Sequence, residues 1–296
     1  MLCISRNIDL SPFTTIRIGG RAAGFCEPSN LEELQYALFF ALDKSLPLYI
    51  LGKGSNTIFG DFEGLVISMK RFREFKVKEQ QDKVLIWAGA GVSLSKLVSF
   101  SLREGIEGFY RLVGFPATVG GAVAMNAGAF GYEVSQHLRE VVLLDWEGRI
   151  KKVKREDLEF SYRSSPFPAL GFLLTAIFEV PRAKGKIREE YKIIKEKRAS
   201  KQPIDMLTCG STFKNPKGYY AGRLLEEVGI KGYRVGDVAF SEKHANFLVN
   251  LNKGTYGQVI KILQEAKRRV FEEFGINLEE EVRIVESSSA YGWKVQ

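Results

Sequence analysis

Two glycine-rich segments of the sequence carry residue types that can hold an anionic ligand. The longer one, GFPATVGGAVAMNAGAFG, spans residues 114–131, and more than half of it is glycine or alanine. It has little apolar surface of its own, so it predicts neither a core helix nor a core strand. Its bare backbone N–H groups can instead approach phosphates or a flat ring system closely. Because Val119, Val123 and Met125 alternate with small residues, we favour a buried cofactor-binding segment over a mobile surface loop.

The shorter segment follows residues 48–51, an apolar run predicted to form a strand. Gly52, Gly54, Ser55 and Asn56 form the pattern Gly-x-Gly-Ser-Asn directly after that run. Glycines permit a tight turn there, and the serine and asparagine supply hydrogen-bond donors for a phosphate. The pattern has neither the Walker spacing nor the G-x-G-x-x-G spacing, so an ordinary strand-to-loop turn is the alternative.

Composition excludes several other chemistries. Only His137 and His244 are available, which excludes a histidine-rich metal site and leaves a Ser-His-Asp triad possible only in principle. Cys3, Cys26 and Cys209 lie far apart without a C-x-x-C pair, so we expect a reducing compartment and no bound metal. The sequence shows no secretory signal and no apolar run near the roughly 18 residues of a membrane span. These features predict a cytoplasmic protein without a membrane partner.

Strands that alternate with helices predict an α+β or α/β architecture rather than an all-β one. The first helix is predicted to run from the capping signal at residues 29–30 to residue 42. Further helices are predicted at 93–103, 187–201, 219–228 and 255–274. Strands are predicted at 48–51, 65–69, 84–88, 172–180, 247–251 and 281–285, with a hairpin formed by 138–145 and 149–153. Residues 208–216 are predicted to be a polar loop. A polar linker near residue 183 divides the chain into predicted domains 1–183 and 184–296.

Taken in order, these segments resemble the family of UDP-N-acetylenolpyruvoylglucosamine reductase (MurB), flavoenzymes of bacterial cell-wall precursor synthesis. Six motifs carry the resemblance: TTIRIGG at 14–20, LGKGSN at 51–56, the glycine-rich stretch at 114–131, YRSSPF at 162–167, GSTFKNP at 210–216 and LEEEVR at 278–283. The resemblance implies an α+β chain with a two-lobed FAD-binding module of the vanillyl-alcohol-oxidase (PCMH) type, followed by a substrate-binding domain, in the shorter type II form. Lys53 and Ala117 depart from the glycine that is usual in the family, and Phe130 departs from the usual tyrosine.

The resemblance also implies the reaction. NADPH would reduce non-covalently bound FAD, and the reduced flavin would pass a hydride to the enolpyruvyl ether of UDP-N-acetylglucosamine enolpyruvate. Addition of hydride places negative charge beside the substrate carboxylate, which calls for a fixed cation and a proton donor. Arg163 would hold the carboxylate, Ser211 would donate a proton to carbon, and Glu281 would be the catalytic acid. The alternatives are an Arg163 paired to a nearby acid, a loop-capping Ser211 hydroxyl and a solvated Glu281.

The remaining expected ligand contacts fall into two sets. The FAD contacts are Gly52, Lys53, Gly54, Ser55, Asn56, Thr57, Gly114, Phe115, Pro116, Thr118, Gly120, Gly121, Asn126 and Ala127. The contacts with the UDP-sugar are Tyr162, Lys214, Asn215, Arg223, His244 and Asn246, because a diphosphate calls for cationic and amide donors. For Arg223, an ordinary solvent-exposed arginine on a helix is an equally weighted alternative interpretation.

Two other functions compete with the reductase interpretation, one a different kind of enzyme and the other a non-enzymatic binding protein. A flavin-dependent oxidase with the same cofactor fold would turn over with oxygen, and it would give Arg163 and Glu281 no obvious task. A non-enzymatic nucleotide- or nucleic-acid-binding protein would account for the net charge of +8. The basic residues are dispersed and are not interleaved with aromatic ones, as single-strand binding requires. We therefore expect no nucleic-acid partner.

Overall fold

The computed structural model describes residues 2–287. Its α-helices are α1 (Leu31–Asp43), α2 (Leu94–Glu104), α3 (Val119–Ala124), α4 (Phe167–Leu170), α5 (Ile187–Lys201), α6 (Ala221–Glu227) and α7 (Tyr256–Phe274). Its strands are β1 (Ser5–Asp9), β2 (Arg21–Cys26), β3 (Leu48–Leu51), β4 (Thr57–Phe59), β5 (Phe62–Ser68), β6 (Phe75–Glu79), β7 (Lys83–Gly89), β8 (Gly128–Ala129), β9 (Tyr132–Glu133), β10 (Leu138–Leu144), β11 (Ile150–Lys154), β12 (Phe172–Pro181), β13 (Leu207–Ser211), β14 (Arg234–Val235), β15 (Val238–Phe240), β16 (Phe247–Asn250) and β17 (Arg283–Val285). Within this range no helix has the length and apolar character needed to span a membrane.

The first lobe is a four-stranded sheet in the order β1-β2-β5-β3, with β5 parallel to both of its neighbours. Helix α1 packs against β5 and buries Leu34 and Leu38 completely. The predicted capping signal is confirmed, because the Asn30 side chain accepts a hydrogen bond from the backbone N–H of Glu33 at 2.9 Å. The loop that follows β3 therefore leaves the sheet from a rigid, buried strand.

The second lobe is an antiparallel sheet in the order β11-β10-β12-β7-β6. The predicted hairpin is confirmed as β10 and β11, and Gly148 provides the left-handed turn residue with φ of +78°. Apolar residues of both lobes join in one core, and a second, smaller cluster of the first lobe includes Phe25, Tyr49 and Val66. This pair of lobes has the two-part form that the resemblance implies for the FAD-binding module.

The glycine-rich stretch does contain a helix, so the expectation that it forms none was wrong. Thr118 caps α3 by accepting a hydrogen bond from the N–H of Gly121 at 3.3 Å, and Val119 and Val123 are fully buried. These two valines, four residues apart, pack the helix against β7 and β12. A Cβ at Gly120 would lie 2.9 Å from the Cβ of Ala90, so glycine at this position allows α3 to approach Ala90 closely. Tertiary packing outweighs the low helix propensity of the segment.

The third unit is a sheet in the order β13-β16-β15-β14, covered by α6 and α7. Thr255 and Gln258 form a capping box at the start of α7, and Gly275 ends it with φ of +67°. The segment predicted as a polar loop, 208–216, begins instead within β13. A register shift between Thr208 and Ser211 interrupts the pairing of β13 with β16. The polar residues thus occupy an irregular strand before the loop begins.

Three contacts cross the predicted boundary near residue 183. Strand β17 pairs in parallel with β4 of the first half of the chain. Ile16 and Ile18 are buried in the core of the third unit, whereas Ile187 and Ile194 of α5 are buried in the core of the first two lobes. The division at residue 183 stays a prediction, and these contacts join the two halves around the site described next.

Candidate active site

A cavity of about 640 Å³ opens where the three units meet. Its wall is formed by residues 49–57 of the first lobe, most of the glycine-rich stretch in the second, and residues 202–211 ahead of and within β13. Arg163, Arg198, Glu281 and Arg283 also line it. Both glycine-rich segments therefore face one space, together with charged side chains from distant parts of the chain.

The loop after β3 has the form of a phosphate cradle. Gly54 has φ of +68°, and a Cβ there would lie 2.1 Å from the carbonyl oxygen of Phe13, so a side chain is excluded. Within residues 2–287, the backbone N–H groups of Lys53, Gly54 and Ser55 donate no hydrogen bond to the protein. Successive free N–H groups in a turn form a concave site for an anion.

The start of α3 faces this loop at close range. A Cβ at Gly52 would lie 2.6 Å from Oγ1 of Thr118 and 3.8 Å from the backbone of Gly121. The two segments thus leave a narrow, side-chain-free space between two backbones, next to apolar cavity walls that include Leu51 and Phe115. A flat cofactor with a pyrophosphate group fits this arrangement, because it needs backbone donors at one end and apolar walls at the other.

Substitution of Gly52 by alanine is expected to weaken FAD binding by about 10–100-fold, the equivalent of roughly 1–3 kcal/mol of steric displacement. The new methyl group would displace the Thr118 cap that begins α3. Titration of the apoprotein with FAD, followed by flavin fluorescence, measures the change. Gly257→Ala is the matched control, because no atom lies within 4 Å of that Cβ position. Equal affinities for FAD in the two variants would contradict the assignment of the loop after β3 as a cofactor cradle.

Arg163 and Glu281 form a shielded ion pair on the wall of the cavity. Nε of Arg163 lies 2.7 Å from Oε1 of Glu281, and only 17% and 14% of the two side chains are exposed. Nη2 of Arg163 also donates to the carbonyl oxygen of Gly128 at 3.0 Å. The backbone of Arg163 has φ of +56°, an uncommon conformation that brings its side chain into this position. The arginine does pair with an acid, as the alternative reading proposed, and that acid is the expected catalytic glutamate.

Glu281 sits on a segment that is fixed from two sides. Its N–H donates to the carbonyl oxygen of Thr212 at 2.8 Å, and the side-chain amide of Asn56 donates to its carbonyl oxygen at 3.0 Å. Burial raises the pKa of the Glu281 carboxyl above its ordinary value, although the nearby charges of Arg163 and Lys214 oppose that rise. A carboxyl in this position retains its proton to a higher pH than an exposed glutamate does.

The raised pKa of Glu281 predicts a pH-dependent difference in stability between the wild type and Glu281→Gln. The folded protein holds the proton more tightly than the unfolded chain, so this contribution is fully present at low pH. It is lost as the pH rises through the folded-state pKa. We therefore expect the wild type to lose melting temperature relative to the variant as the pH rises from below the ordinary glutamate pKa to above the raised pKa of Glu281. A constant difference over that range would show that burial of Glu281 does not perturb its titration.

Ser211 ends β13 and lines the same cavity. Within the described part of the chain its hydroxyl makes no hydrogen bond to protein, so it is free to bond a ligand. Lys214, three residues later, contacts Glu279 and lies outside the cavity wall. Among residues 2–287 no lysine is bonded to the serine, so we expect solvent or ligand to resupply its proton.

Most of the expected FAD contacts lie in the cavity wall, with one exception. Asn126 is fully buried behind the wall, and its amide donates to Oε2 of Glu133 and to the carbonyl oxygen of Ser161. It supports the segment that carries Met125 and Ala127, which do line the cavity. The direct FAD contact expected of Asn126 stays a prediction, which its position behind the wall does not support.

The expected substrate contacts lie outside this wall. Several of them have protein partners: the Asn246 amide bonds the backbone of Phe213, Asn215 accepts from the N–H of Ala221, Arg223 pairs with Glu227, and Lys214 contacts Glu279. His244 accepts a hydrogen bond from the N–H of Asn246, and Tyr162 is 46% exposed. Their role in binding the UDP-sugar stays a prediction that no cavity contact supports.

Arg198 is a cavity residue that the sequence reading missed. It is only 9% exposed, its Nη1 donates to the carbonyl oxygen of Val113 at 2.7 Å, and its guanidinium lies 4.0 Å from the ring centre of Phe115. Burial, followed by the nearby charge of Arg163, lowers its pKa to about 10. In the sequence it belongs to the charged helix α5, where a buried arginine has no distinguishing pattern.

Comparison with known proteins agrees with this arrangement. Residues 22–154 match the FAD binding domain model, and residues 202–285 match the model of the UDP-N-acetylenolpyruvoylglucosamine reductase C-terminal domain. The chain is 52% identical to UDP-N-acetylenolpyruvoylglucosamine reductase of Aquifex aeolicus, with 98% of each chain covered. It is 39% identical to the enzyme of that name from Moorella thermoacetica, covering 96% of this chain and 93% of the other.

A solved structure has the same architecture. The crystal structure of UDP-N-acetylenolpyruvylglucosamine reductase (MurB) from Thermus caldophilus superposes with a TM-score of 0.80 at 33% identity, covering 96% of this chain and 99% of that one. The two-lobed FAD-binding module and the C-terminal domain are thereby confirmed as the fold. With these full-length matches, the chain belongs to the UDP-N-acetylenolpyruvoylglucosamine reductase family and is an FAD-containing oxidoreductase.

Proposed function

We propose that this protein uses NADPH to reduce the enolpyruvyl ether of UDP-N-acetylglucosamine enolpyruvate, giving UDP-N-acetylmuramate for peptidoglycan precursor synthesis. The observation that carries the proposal is the shared cavity. One side holds the backbone cradle at residues 52–56 and α3, and another holds Arg163, Glu281 and Ser211. An oxidoreductase for an anionic, unsaturated substrate needs a cofactor site, a fixed cation and a proton donor in one space.

FAD, when bound in the cradle, supplies the hydride acceptor and donor for the two half-reactions. Arg163 binds the substrate carboxylate, because a planar guanidinium retains free donors after its single bonds to Glu281 and Gly128. The buried cation then stabilises the negative charge that develops when hydride adds to the adjacent double bond. Arg198 adds a second buried positive charge on the same wall.

Ser211 and Glu281 complete the second half of the reaction. The Ser211 hydroxyl donates a proton to the carbon beside the carboxylate, and proton transfer by a positioned side chain is worth about 10²–10⁴-fold in rate. Glu281, whose pKa is raised by burial, is the catalytic acid at the carboxylate end of the substrate in this proposal. The ion pair with Arg163 keeps both groups in position before the substrate arrives.

The visible spectrum of the purified protein tests this proposal under anaerobic conditions. We expect the yellow, FAD-loaded protein to bleach on addition of NADPH and to regain its colour only with UDP-N-acetylglucosamine enolpyruvate. Protein that ignores this sugar and recolours rapidly in air would indicate the flavin-dependent oxidase. Protein that cannot be reconstituted with FAD would overturn both functions.

We also propose a cytoplasmic location. Cys3, Cys26 and Cys209 are all free thiols, which suits a reducing compartment. NADPH and a nucleotide-activated sugar are the two small-molecule partners that this proposal requires, and neither a nucleic acid nor a membrane is among them. Fractionation of cells with an antibody against the protein distinguishes this location from an exported one.

A further inference from the structure

Thr15 connects the cofactor cradle to the strand that carries Ser211. Its backbone N–H donates to the carbonyl oxygen of Gly54 at 3.0 Å, within the cradle loop. Its hydroxyl donates to the carbonyl oxygen of Thr208 at 2.6 Å, in β13. A single residue from the beginning of the chain thus bonds both functional walls, and it also lines the cavity.

The segment around Thr15 is anchored in the third unit. Ile16 and Ile18 are essentially fully buried among the apolar residues of that unit's core. The amide of Asn250, at the end of β16, donates to the carbonyl oxygen of Ile16 at 3.0 Å. Because the anchor fixes the backbone that follows Thr15, and the Thr15 N–H is itself bonded to Gly54, its hydroxyl has little freedom to turn away from Thr208.

Thr208 stands at the start of the irregularity that precedes Ser211. The register of β13 against β16 shifts between these two residues, and Gly210 between them has φ of +82°. A bulge of this kind redirects the side chains that follow it. The Thr208 hydroxyl bonds the carbonyl oxygen of Leu248 at 2.6 Å, while its own carbonyl is held by Thr15. The direction of Ser211 therefore depends on a bond from another part of the chain.

We propose that Thr15 is a positioning residue that sets the Ser211 hydroxyl relative to the bound flavin and substrate. This inference rests on the proposed function, because it takes Ser211 to be the proton donor of the second half-reaction. Thr15 itself exchanges no proton with the substrate. Its effect is to hold the bulge in register with the cradle loop, so its loss misplaces one catalytic group and leaves the cofactor site intact.

Rapid mixing of Thr15→Val and Thr15→Ser tests this role. Valine keeps the shape of threonine and removes the hydroxyl, whereas serine keeps the hydroxyl. We expect Thr15→Val to slow reoxidation of the reduced flavin by the enolpyruvyl sugar by about 100-fold, as a displacement near 1 Å does. Reduction by NADPH and the affinity for FAD should match the wild type in both variants, and Thr15→Ser should restore most of the reoxidation rate. Thr15→Ala provides the same test if the valine variant does not fold.

Thr14→Val is the matched control. Thr14 is the preceding residue, is buried, and bonds the carbonyl oxygen of Ile18 within its own segment at 3.0 Å. We expect this control to lower the melting temperature without changing the ratio of the two half-reaction rates. Equal slowing of both half-reactions in Thr15→Val, or normal reoxidation, would overturn the positioning role. A wild-type protein that is not reoxidised by the sugar would instead overturn the proposed function.

Discussion

The Ser211→Ala protein is expected to bleach with NADPH at the wild-type rate and to remain bleached when the enolpyruvyl sugar is added. The serine lines the cavity on β13 and is not one of the cradle residues, so we expect its loss to leave the flavin site unchanged. Its hydroxyl has no bond to another described residue, so alanine breaks no internal contact. We expect reoxidation to slow by about 10²–10⁴-fold, the usual contribution of a positioned proton donor.

Rapid-mixing absorbance separates the two half-reactions of this variant. Ser200→Ala is a suitable control, because that serine is exposed on α5 and bonds only the carbonyl oxygen of Lys197. Both half-reactions should proceed at the wild-type rate in the control. Reoxidation of Ser211→Ala at the normal rate would remove the serine from the mechanism and leave Glu281 as the proton source.

Loss of the buried cation at Arg163 should have an effect of similar size. In Arg163→Gln the Glu281 carboxyl keeps its burial and loses its nearest positive charge, so its pKa should rise further. Reoxidation by the enolpyruvyl sugar should fall by about 10²–10³-fold, because the developing negative charge loses its preorganised partner. The rate of the first half-reaction, with NADPH, is expected to change much less.

Arg268→Gln is the control for this second substitution. Arg268 lies on the exposed face of α7, where it pairs with Glu265 and Glu272 far from the cavity wall. Stopped-flow measurements over a range of sugar concentrations separate the loss of binding from the loss of rate. Identical behaviour of Arg163→Gln and Arg268→Gln would show that the ion pair at the cavity is only structural.

The sequence allowed the cofactor side of the site to be predicted because its signals are local. Gly52, Gly54 and Ser55 follow a strand within a few residues, and their spacing alone indicates a turn with free N–H groups. Long helices such as α5 and α7 were predicted within two residues of their bounds, because caps and apolar periodicity are also local properties. Short strands such as β14 have no such pattern and appear only through pairing with distant residues.

The expected substrate contacts have no comparable local signal, because tertiary packing decides what surrounds them. Asn246 and Arg223 are polar residues within recognisable motifs, yet the fold uses the first to hold the Phe213 backbone and leaves the second in an exposed pair. Arg198 and Thr15 reach the cavity through packing between segments far apart in sequence. No spacing rule identifies such residues, because their neighbours are set by how the three units meet.

The pairing of β17 with β4 makes the site depend on the order in which the chain is made. Strand β4 follows the cradle loop directly, yet its parallel partner is among the last residues that the structure describes. Domains generally fold from the amino terminus onward during synthesis, so the flavin lobes emerge long before Glu281 does. A ribosome-bound or prematurely ended chain that stops before Glu281 therefore carries the cradle sequence without Glu281 and without the strand that pairs with β4. Such a chain also lacks the part of the cavity wall that Glu281 and Arg283 form, so the site is assembled only once the last described strand has been made.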